Sequence, residues 1–180
     1  MEYSEQDIPG VYIFQLNQFS DKRGKLNKYF YSTLFNQFNF SVDDIYTTTS
    51  HKGVVRGLHH QTGNFGQSKL ITCLAGSFWD VSIDLRQGSE TYGQQFEHYL
   101  SCNNGQALLL PAGFSHGTVS LEEGTVMLSI CSGAYLPEYE SGININSTDL
   151  SFLEPSMLNN LIISSKDQDL SNLKCKLEET

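Results

Sequence analysis

Hydrophobic and polar residues alternate with a period of two along the middle of the chain. Between Trp79 and Leu85 the odd-numbered residues are apolar, whereas the even-numbered residues from Asp80 to Asp84 are polar. This period predicts a β-strand, because successive side chains of a strand point to opposite faces. The ranges 69–74 and 126–131 predict two further strands, and a turn at Gly76 separates the first of them from the strand at 78–85.

Glycine, asparagine and proline recur between these short stretches, which is typical of an all-β sandwich or barrel. Helical signal is limited to Ser32–Phe38 and to a mixed tail from Leu150, where Pro155 marks a break. No repeat, low-complexity segment or linker divides the sequence. We therefore expect one all-β domain over residues 1–180 with a few short helices.

The polar faces of the predicted strands distinguish a barrel from a sandwich. A sandwich exposes one face of each sheet to water, whereas a small barrel has an interior that polar side chains can line. Asp80 and Ser129 are candidates for such a lining. The alternative is that both simply face water, and composition alone favours it.

The net charge of −9 argues against a nucleic-acid surface, which needs clustered lysine and arginine. It does not exclude a phosphate ligand, because a few local cations can bind one diphosphate. No apolar run approaches the ~20 residues that span a bilayer, and the first residues do not resemble a signal peptide. The four cysteines form no Cys-x-x-Cys pair. We expect a cytoplasmic protein with reduced thiols and no membrane partner.

Two segments match the paired motifs of cupin barrels. The second motif is complete, with Pro111-x-Gly113 followed by His116. The first motif is half present, because His59 is in place but Gln61 stands where a metal-binding cupin carries its second histidine, and the following glutamate is missing. One or two imidazoles without a carboxylate make a poor site for zinc, iron or manganese. We therefore expect no catalytic metal.

Without a metal, His59 has another use as a general base. An imidazole can remove a proton next to a carbonyl if a nearby cation stabilises the enolate that results. Lys69, at the start of a predicted strand, is a suitable cation. The competing interpretation of His59 is a hydrogen-bonded core histidine.

Around these residues the chain resembles the dTDP-4-dehydrorhamnose 3,5-epimerase family. The most specific matches are Arg56-Gly-Leu-His59-x-Gln61 and Ser164-Ser-Lys166-Asp167. The other matching segments, in family order, are Phe19–Gly24, Lys52–Gly53, Lys69–Leu70, Asp80–Arg86, Pro111–Gly117, Tyr135–Pro137 and Gly142–Ile143. The resemblance extends from about residue 8 to residue 168.

The resemblance implies a cupin-type jelly-roll barrel that forms a homodimer by exchanging N-terminal strands, and it implies no metal or organic cofactor. His59 would be the base that removes the proton beside the C4 ketone of a nucleotide-linked sugar, and Asp167 would orient it. Lys69 would stabilise the enolate, and Asp80 would hold the lysine. The remaining predicted substrate-binding residues are Arg56, His116 and Lys166 at the diphosphate or sugar, Arg23 from the other subunit, and Gln61, Ser129 and Tyr135.

One departure from the family falls at the proton donor. The family carries a tyrosine on the strand after the Phe-x-His-Gly motif, and that tyrosine acts as the acid on the face opposite the histidine. This chain has Ser129 at that position. A serine hydroxyl is shorter and much less acidic than a phenol. Tyr135, Cys131 or a water molecule are alternative acids, or the protein epimerises one carbon only.

A second departure lies where the family builds its nucleotide-base pocket. This chain reads Lys25–Lys28 and Asp44–Thr48 at those positions, so dTDP-, CDP-, GDP- and UDP-sugars all stay open. Tyr46 is able to stack on a base, although a core or rim position is the more frequent use of such an aromatic.

The leading hypothesis is an isomerase that epimerises a 4-keto-6-deoxy nucleotide sugar at C3, C5 or both. The first alternative is a 3,4-keto-isomerase that returns the proton on the same side of the sugar. The second is a catalytically silent barrel that only binds the nucleotide sugar.

Overall fold

The computed structural model describes residues 1–178, and antiparallel β-strands dominate it. The strands are β1 (Glu2–Glu5), β2 (Tyr12–Gln15), β3 (Asn17–Asp21), β4 (Gly24–Lys28), β5 (Asp44–Ser50), β6 (Val55–Gln61), β7 (Ser68–Ala75), β8 (Ser77–Asp84), β9 (Gln95–Ser101), β10 (Gln106–Leu110), β11 (Phe114–Ser120), β12 (Thr125–Ser132) and β13 (Glu140–Gly142). The three strands predicted from alternation are confirmed as β7, β8 and β12.

Two sheets form the body of the molecule, and all their strand pairs are antiparallel. The six-stranded sheet has the order β1-β2-β10-β7-β12-β5, and the five-stranded sheet has the order β13-β6-β11-β8-β9. Strands β3 and β4 form a separate two-stranded hairpin. This topology confirms the predicted all-β jelly-roll barrel.

The interior between the sheets is apolar in one part and polar in another. Phe78 of β8 and Phe114 of β11 pack against Ile71 and Met127 of the six-stranded sheet. Farther along β8, on the same face as Phe78, Asp80 is fully buried. Because a strand sends alternate residues to one face, the polar residues of β8 line the interior. Ser129 is fully buried too, so neither it nor Asp80 faces water.

The apolar face of β8 points away from the interior. Val81 and Ile83 pack in an outer cluster with Leu58, Val119 and residues of the C-terminal segment that include Leu153. A corresponding outer cluster on the six-stranded sheet is formed by Leu70 and Ile130 with aromatic residues of the segment before β5, mainly Phe35 and Phe40. Both sheets are therefore covered on their outer faces.

Helices are short and lie outside the sheets. They are α1 (Ser32–Phe35), α2 (Pro155–Leu158), α3 (Ser165–Gln168) and α4 (Leu173–Glu178), with 3-10 turns at Asn36–Phe38, Gly63–Phe65, Pro137–Tyr139 and Ile145–Ser147. The predicted helical stretch at residues 32–38 is confirmed as α1 and its following turn. Pro155 opens α2, a position that proline tolerates because its missing N–H would have no partner there.

None of the helices in residues 1–178 is long and apolar enough to cross a membrane. The expectation of one domain over residues 1–180 stays a prediction, and its last two residues lie outside the described part of the chain.

Candidate active site

His59 and Asp167 form a hydrogen-bonded pair although 108 residues separate them in sequence. The distance from His59 Nε2 to Asp167 Oδ1 is 2.7 Å. The Asp167 side chain is only 7% exposed, whereas that of His59 is 28% exposed. The carboxylate accepts the Nε2 proton, so His59 Nδ1 carries the lone pair. This nitrogen makes no hydrogen bond within residues 1–178, which leaves it open to a ligand.

Local backbone features hold both members of this pair. The Gly57 N–H donates to the second Asp167 oxygen at 3.3 Å. Ser164 is the N-cap of α3, and its hydroxyl accepts a hydrogen bond from the Asp167 N–H at 3.1 Å. Gly57 has a φ of +112°, and a Cβ there would lie 2.7 Å from the carbonyl oxygen of His116. Only glycine fits this close approach of β6 to β11.

His116 lies opposite His59 in the pairing of β11 with β6, and it has its own carboxylate partner. Its Nδ1 is 3.0 Å from Asp80 Oδ2, and the Ser82 hydroxyl donates to the other Asp80 oxygen at 2.6 Å. Burial and the nearby Lys69 ammonium lower the pKa of His116. A neutral imidazole that donates to Asp80 keeps its Nε2 as an acceptor.

Lys69 belongs to β7, on the wall opposite Asp80, and it is half-buried. Burial lowers the pKa of Lys69, while Cys131, Asp80 and Glu140 act in the other direction. These neighbours favour the charged ammonium in an enclosed site. Within residues 1–178, however, Lys69 forms no ion pair with Asp80, which contacts His116 and Ser82 instead. The role of Asp80 in holding Lys69 therefore stays a prediction.

Ser129 occupies the same wall as Lys69. It is paired with Ile71 of β7 on one side and with Tyr46 of β5 on the other. Its hydroxyl lies 3.5 Å from the Cys131 sulfur. Burial raises the pKa of the Cys131 thiol. Ser129, Tyr46 and Cys131 thus form one polar patch across the interior from β6.

A second set of predicted residues lies at the rim. Lys166 donates to Glu140 Oε2 at 2.5 Å, and the Tyr135 hydroxyl approaches the same oxygen at 3.4 Å. His59 is close enough to contribute to lowering the pKa of Glu140, although burial opposes that shift and Lys166 is the stronger partner. Glu140 was not predicted from the sequence. The feature of the sequence that points to Glu140 is its position between the matched segments Tyr135–Pro137 and Gly142–Ile143.

Both predicted arginines have partners within the chain. Arg56 is exposed, and it donates from Nε to the Ser50 hydroxyl at 2.9 Å and from one terminal nitrogen to the Thr49 carbonyl at 3.2 Å. It therefore connects β6 to the end of β5. Arg23 lies at the tip of the β3–β4 hairpin, with 84% of its side chain exposed, and pairs with Asp21.

Gln61 is buried, and the backbone occupies both ends of its amide. Its Nε2 donates to the carbonyls of Phe65 and Ala134, and its Oε1 accepts from the Leu136 N–H. These bonds hold the loop that carries Tyr135 against β6. Contact between Gln61 and a substrate stays a prediction.

Within residues 1–178 this arrangement includes no cluster of metal ligands, and a cleft reaches it at Gln61. In the described part of the chain, no three histidine, cysteine, aspartate or glutamate side chains are grouped as metal ligands. A cleft of about 650 Å³ is lined by residues that include His60, Arg86, Tyr92 and Gln61, the last of which is a predicted substrate-binding residue. The lining of the cleft does not include His59, Lys69 or Asp167, and the two histidine–carboxylate pairs define the candidate active site.

The comparisons with known proteins agree with the sequence motifs. The sequence model of the family described as dTDP-4-dehydrorhamnose 3,5-epimerase matches residues 5–175. A protein of that name from Methanothermobacter thermautotrophicus is 32% identical, over 96% of this chain and 94% of its own length. A Streptomyces protein named dTDP-4-dehydro-6-deoxyglucose 3-epimerase is 31% identical, over 86% of this chain and 80% of its own length.

The solved structures extend the similarity to three dimensions. The crystal structure of dTDP-4-dehydrorhamnose 3,5-epimerase from Elizabethkingia anophelis superimposes with a TM-score of 0.87 at 32% identity. The match covers 98% of each chain. The resemblance expected from the sequence motifs is therefore confirmed.

Proposed function

Because this chain belongs to the dTDP-4-dehydrorhamnose 3,5-epimerase family, we propose that it epimerises a dTDP-linked 4-keto-6-deoxy sugar at C3, C5 or both. The observation that carries the proposal is the His59–Asp167 pair, which leaves one imidazole nitrogen free, together with the enclosed Lys69 on the facing sheet. The dTDP part follows from the names of the curated relatives.

In this mechanism His59 Nδ1 removes the proton beside the C4 ketone. The imidazolium that forms lies 2.7 Å from the Asp167 carboxylate, which stabilises its charge. The electrons of the broken C–H bond move to the ketone oxygen, where the Lys69 ammonium stabilises the enolate. Reprotonation of the same carbon from the opposite face gives the epimer.

Other polar groups bind the substrate. Neutral His116 accepts a hydrogen bond from a sugar hydroxyl through Nε2, because Asp80 holds its Nδ1 proton. Arg56 contacts the diphosphate with the terminal nitrogen that its protein partners leave free within residues 1–178. Lys166 and Tyr135 lie beside Glu140 at the rim, where they reach the sugar or the phosphates.

Deuterium exchange tests this function directly. The protein is incubated in deuterated water with dTDP-, CDP- and GDP-linked 4-keto-6-deoxy sugars, and NMR shows which carbon takes up deuterium. We expect exchange with the dTDP sugar, and we expect His59→Asn to abolish it. His51→Asn is the matched control, since His51 is exposed and pairs with Glu123 outside the site. Absence of exchange with every sugar at high enzyme concentration would refute the function and favour a silent binding barrel.

Product structure separates an epimerase from a 3,4-keto-isomerase. An epimerase gives a 4-keto sugar with an inverted centre, whereas the keto-isomerase moves the carbonyl to C3. The relatives are named as epimerases, which favours the first product.

A homodimer that completes the site is also part of the proposal. The β3–β4 hairpin carries a cross-strand pair, Phe19 and Leu26, that is 58% and 54% exposed. Such an apolar pair is stabilised by packing against a second copy, and this contact would bring Arg23 to the other subunit's site. We further propose a cytoplasmic location, where reducing conditions keep the four cysteines unpaired.

Complementation tests the shared site. His59→Asn and Arg23→Ala variants are each expected to lose activity. In a mixed population half of the dimers are heterodimers with one intact site, so about a quarter of wild-type activity returns on co-refolding. Light scattering that finds only monomers, or mixing that restores nothing although dimers form, would contradict this arrangement.

A further inference from the structure

Tyr46 lies on the edge strand β5, directly across from Ser129 on β12. Residues paired in this way share one face of the sheet. Ser129 is fully buried in the interior. The adjacent Ile45 is 59% exposed, as alternation along the strand requires. The Tyr46 side chain therefore extends from the sheet on the interior side.

The surroundings of the phenol confirm this direction. Burial raises the pKa of the Tyr46 phenol, and Ser129, Cys131 and Asp80 are near enough to contribute to that pKa. Asp80 is fully buried on β8 of the other sheet. A group on β5 can approach Asp80 only across the interior. With 37% of the residue exposed on an edge strand, Tyr46 borders both the interior and the solvent at the mouth of the barrel.

This position is on the opposite wall from the base. His59 belongs to the five-stranded sheet and Tyr46 to the six-stranded sheet. A sugar ring between the sheets presents one face to each of them. Inversion needs a proton donor on the Tyr46 side, because His59 removes the proton on the other.

Among the residues on that wall, Tyr46 is the best suited donor. Burial raises the pKa of Tyr46, so its phenol stays protonated at neutral pH. The Ser129 hydroxyl is shorter and far less acidic, and Cys131 is fully buried below it. Lys69 is assigned to the enolate oxygen.

We propose that Tyr46 is the catalytic acid that protonates the enolate on the face opposite His59, in place of a donor on β12; this inference rests on the proposed epimerase function. The phenol O–H bond breaks as the new C–H bond forms, and the enolate electrons restore the C4 carbonyl. The phenolate then takes a proton from water at the barrel mouth, and His59 releases its proton to water.

The test compares inversion with exchange in the same sample. In deuterated water, Tyr46→Phe retains the base, so deuterium exchange with retention of configuration continues within a few-fold of the wild-type rate. Formation of the inverted product falls by about 100-fold or more, the usual contribution of a positioned general acid. Tyr99→Phe is the matched control, since Tyr99 is 39% exposed and packs against Trp79 on the outer face. It is expected to leave the ratio of inversion to exchange unchanged.

Each other outcome has a distinct meaning. If Tyr46→Phe keeps the wild-type ratio, the acid is another group, and Cys131→Ser and Tyr135→Phe identify which one. If Tyr46→Phe loses exchange and inversion together, Tyr46 serves folding or binding, and the proposal is overturned. If the wild-type protein shows no exchange, it is the epimerase function that fails.

Discussion

The two oxygens of Asp167 have different partners, and this asymmetry predicts which substitution harms catalysis more. Oδ1 accepts from His59 Nε2 at 2.7 Å, and Oδ2 accepts from the Gly57 N–H at 3.3 Å. In Asp167→Asn the amide oxygen must face Gly57, because a backbone N–H can only donate. The amide NH₂ then donates to His59 Nε2 and moves the imidazole proton to Nδ1. The nitrogen that should act as the base is blocked.

Asp167→Ala removes the charge without imposing this tautomer. A hydrogen bond to a charged group contributes about 1.5–3 kcal/mol, which corresponds to roughly a 10- to 150-fold loss in rate. Asp167→Asn adds the tautomer effect, which raises the loss to about 1,000-fold or more. The asparagine variant, although closer in shape to aspartate, is therefore expected to be the slower enzyme.

The assay is the initial rate of deuterium uptake into the dTDP-linked 4-keto sugar, measured by NMR at saturating substrate. Circular dichroism and the thermal midpoint establish that both variants are folded. An asparagine variant that exchanges as fast as the alanine variant, or faster, would refute the assignment of Nδ1 as the base.

Three further predictions concern charge and positioning. Burial lowers the pKa of Lys69 below its usual 10.5, so the ammonium that stabilises the enolate loses its proton, and the rate falls, at a pH below 10.5. The pH profile of kcat/KM in Lys69→Met should lack this alkaline decrease. Burial opposes ionisation of Asp84, but its hydrogen bonds, above all those from Arg86, lower its pKa from 3.8 to about 2. The ionised carboxylate therefore stabilises the fold above about pH 4, and this stabilisation is lost as pH falls toward 2. Asp84→Asn should therefore lower the free energy of unfolding at pH 7 by about 3 kcal/mol, measured in urea. Ser164→Ala removes the cap that positions Asp167 and should cost about 1 kcal/mol of stability, with a fall in kcat but little change in KM.

Alternation was enough to predict the strands but not the environment of their faces. The apolar residues Val81 and Ile83 would be assigned to the interior by any rule that places apolar faces inside a barrel. In the structure they face outward, because the C-terminal segment with Leu153 covers them. What covers a face depends on contacts between residues far apart in sequence, and a local pattern of period two contains no information on those contacts.

The same limit applies to the active site. The pairing of His59 with Asp167 was implied by the family resemblance and not by their spacing. The sequence indicates only a core or rim position or a stacking surface for Tyr46, because its position across from Ser129 depends on the register of β5 with β12. Glu140 was missed, since its proximity to Lys166 arises only when β13 pairs with β6.

The apolar burial of this barrel is divided between part of its interior and both of its outer faces. Lys69, Asp80 and His116 occupy space that would otherwise hold apolar side chains, and enclosing charged groups disfavours folding unless each has partners. The interior cluster around Phe78 is correspondingly confined to one part of the barrel. The outer clusters around Phe35 and Leu153 supply additional apolar burial. The outer cluster around Leu153 includes Leu58 and Ile163, which directly precede His59 and the N-cap Ser164, so packing in that cluster also supports the position of the His59–Asp167 pair.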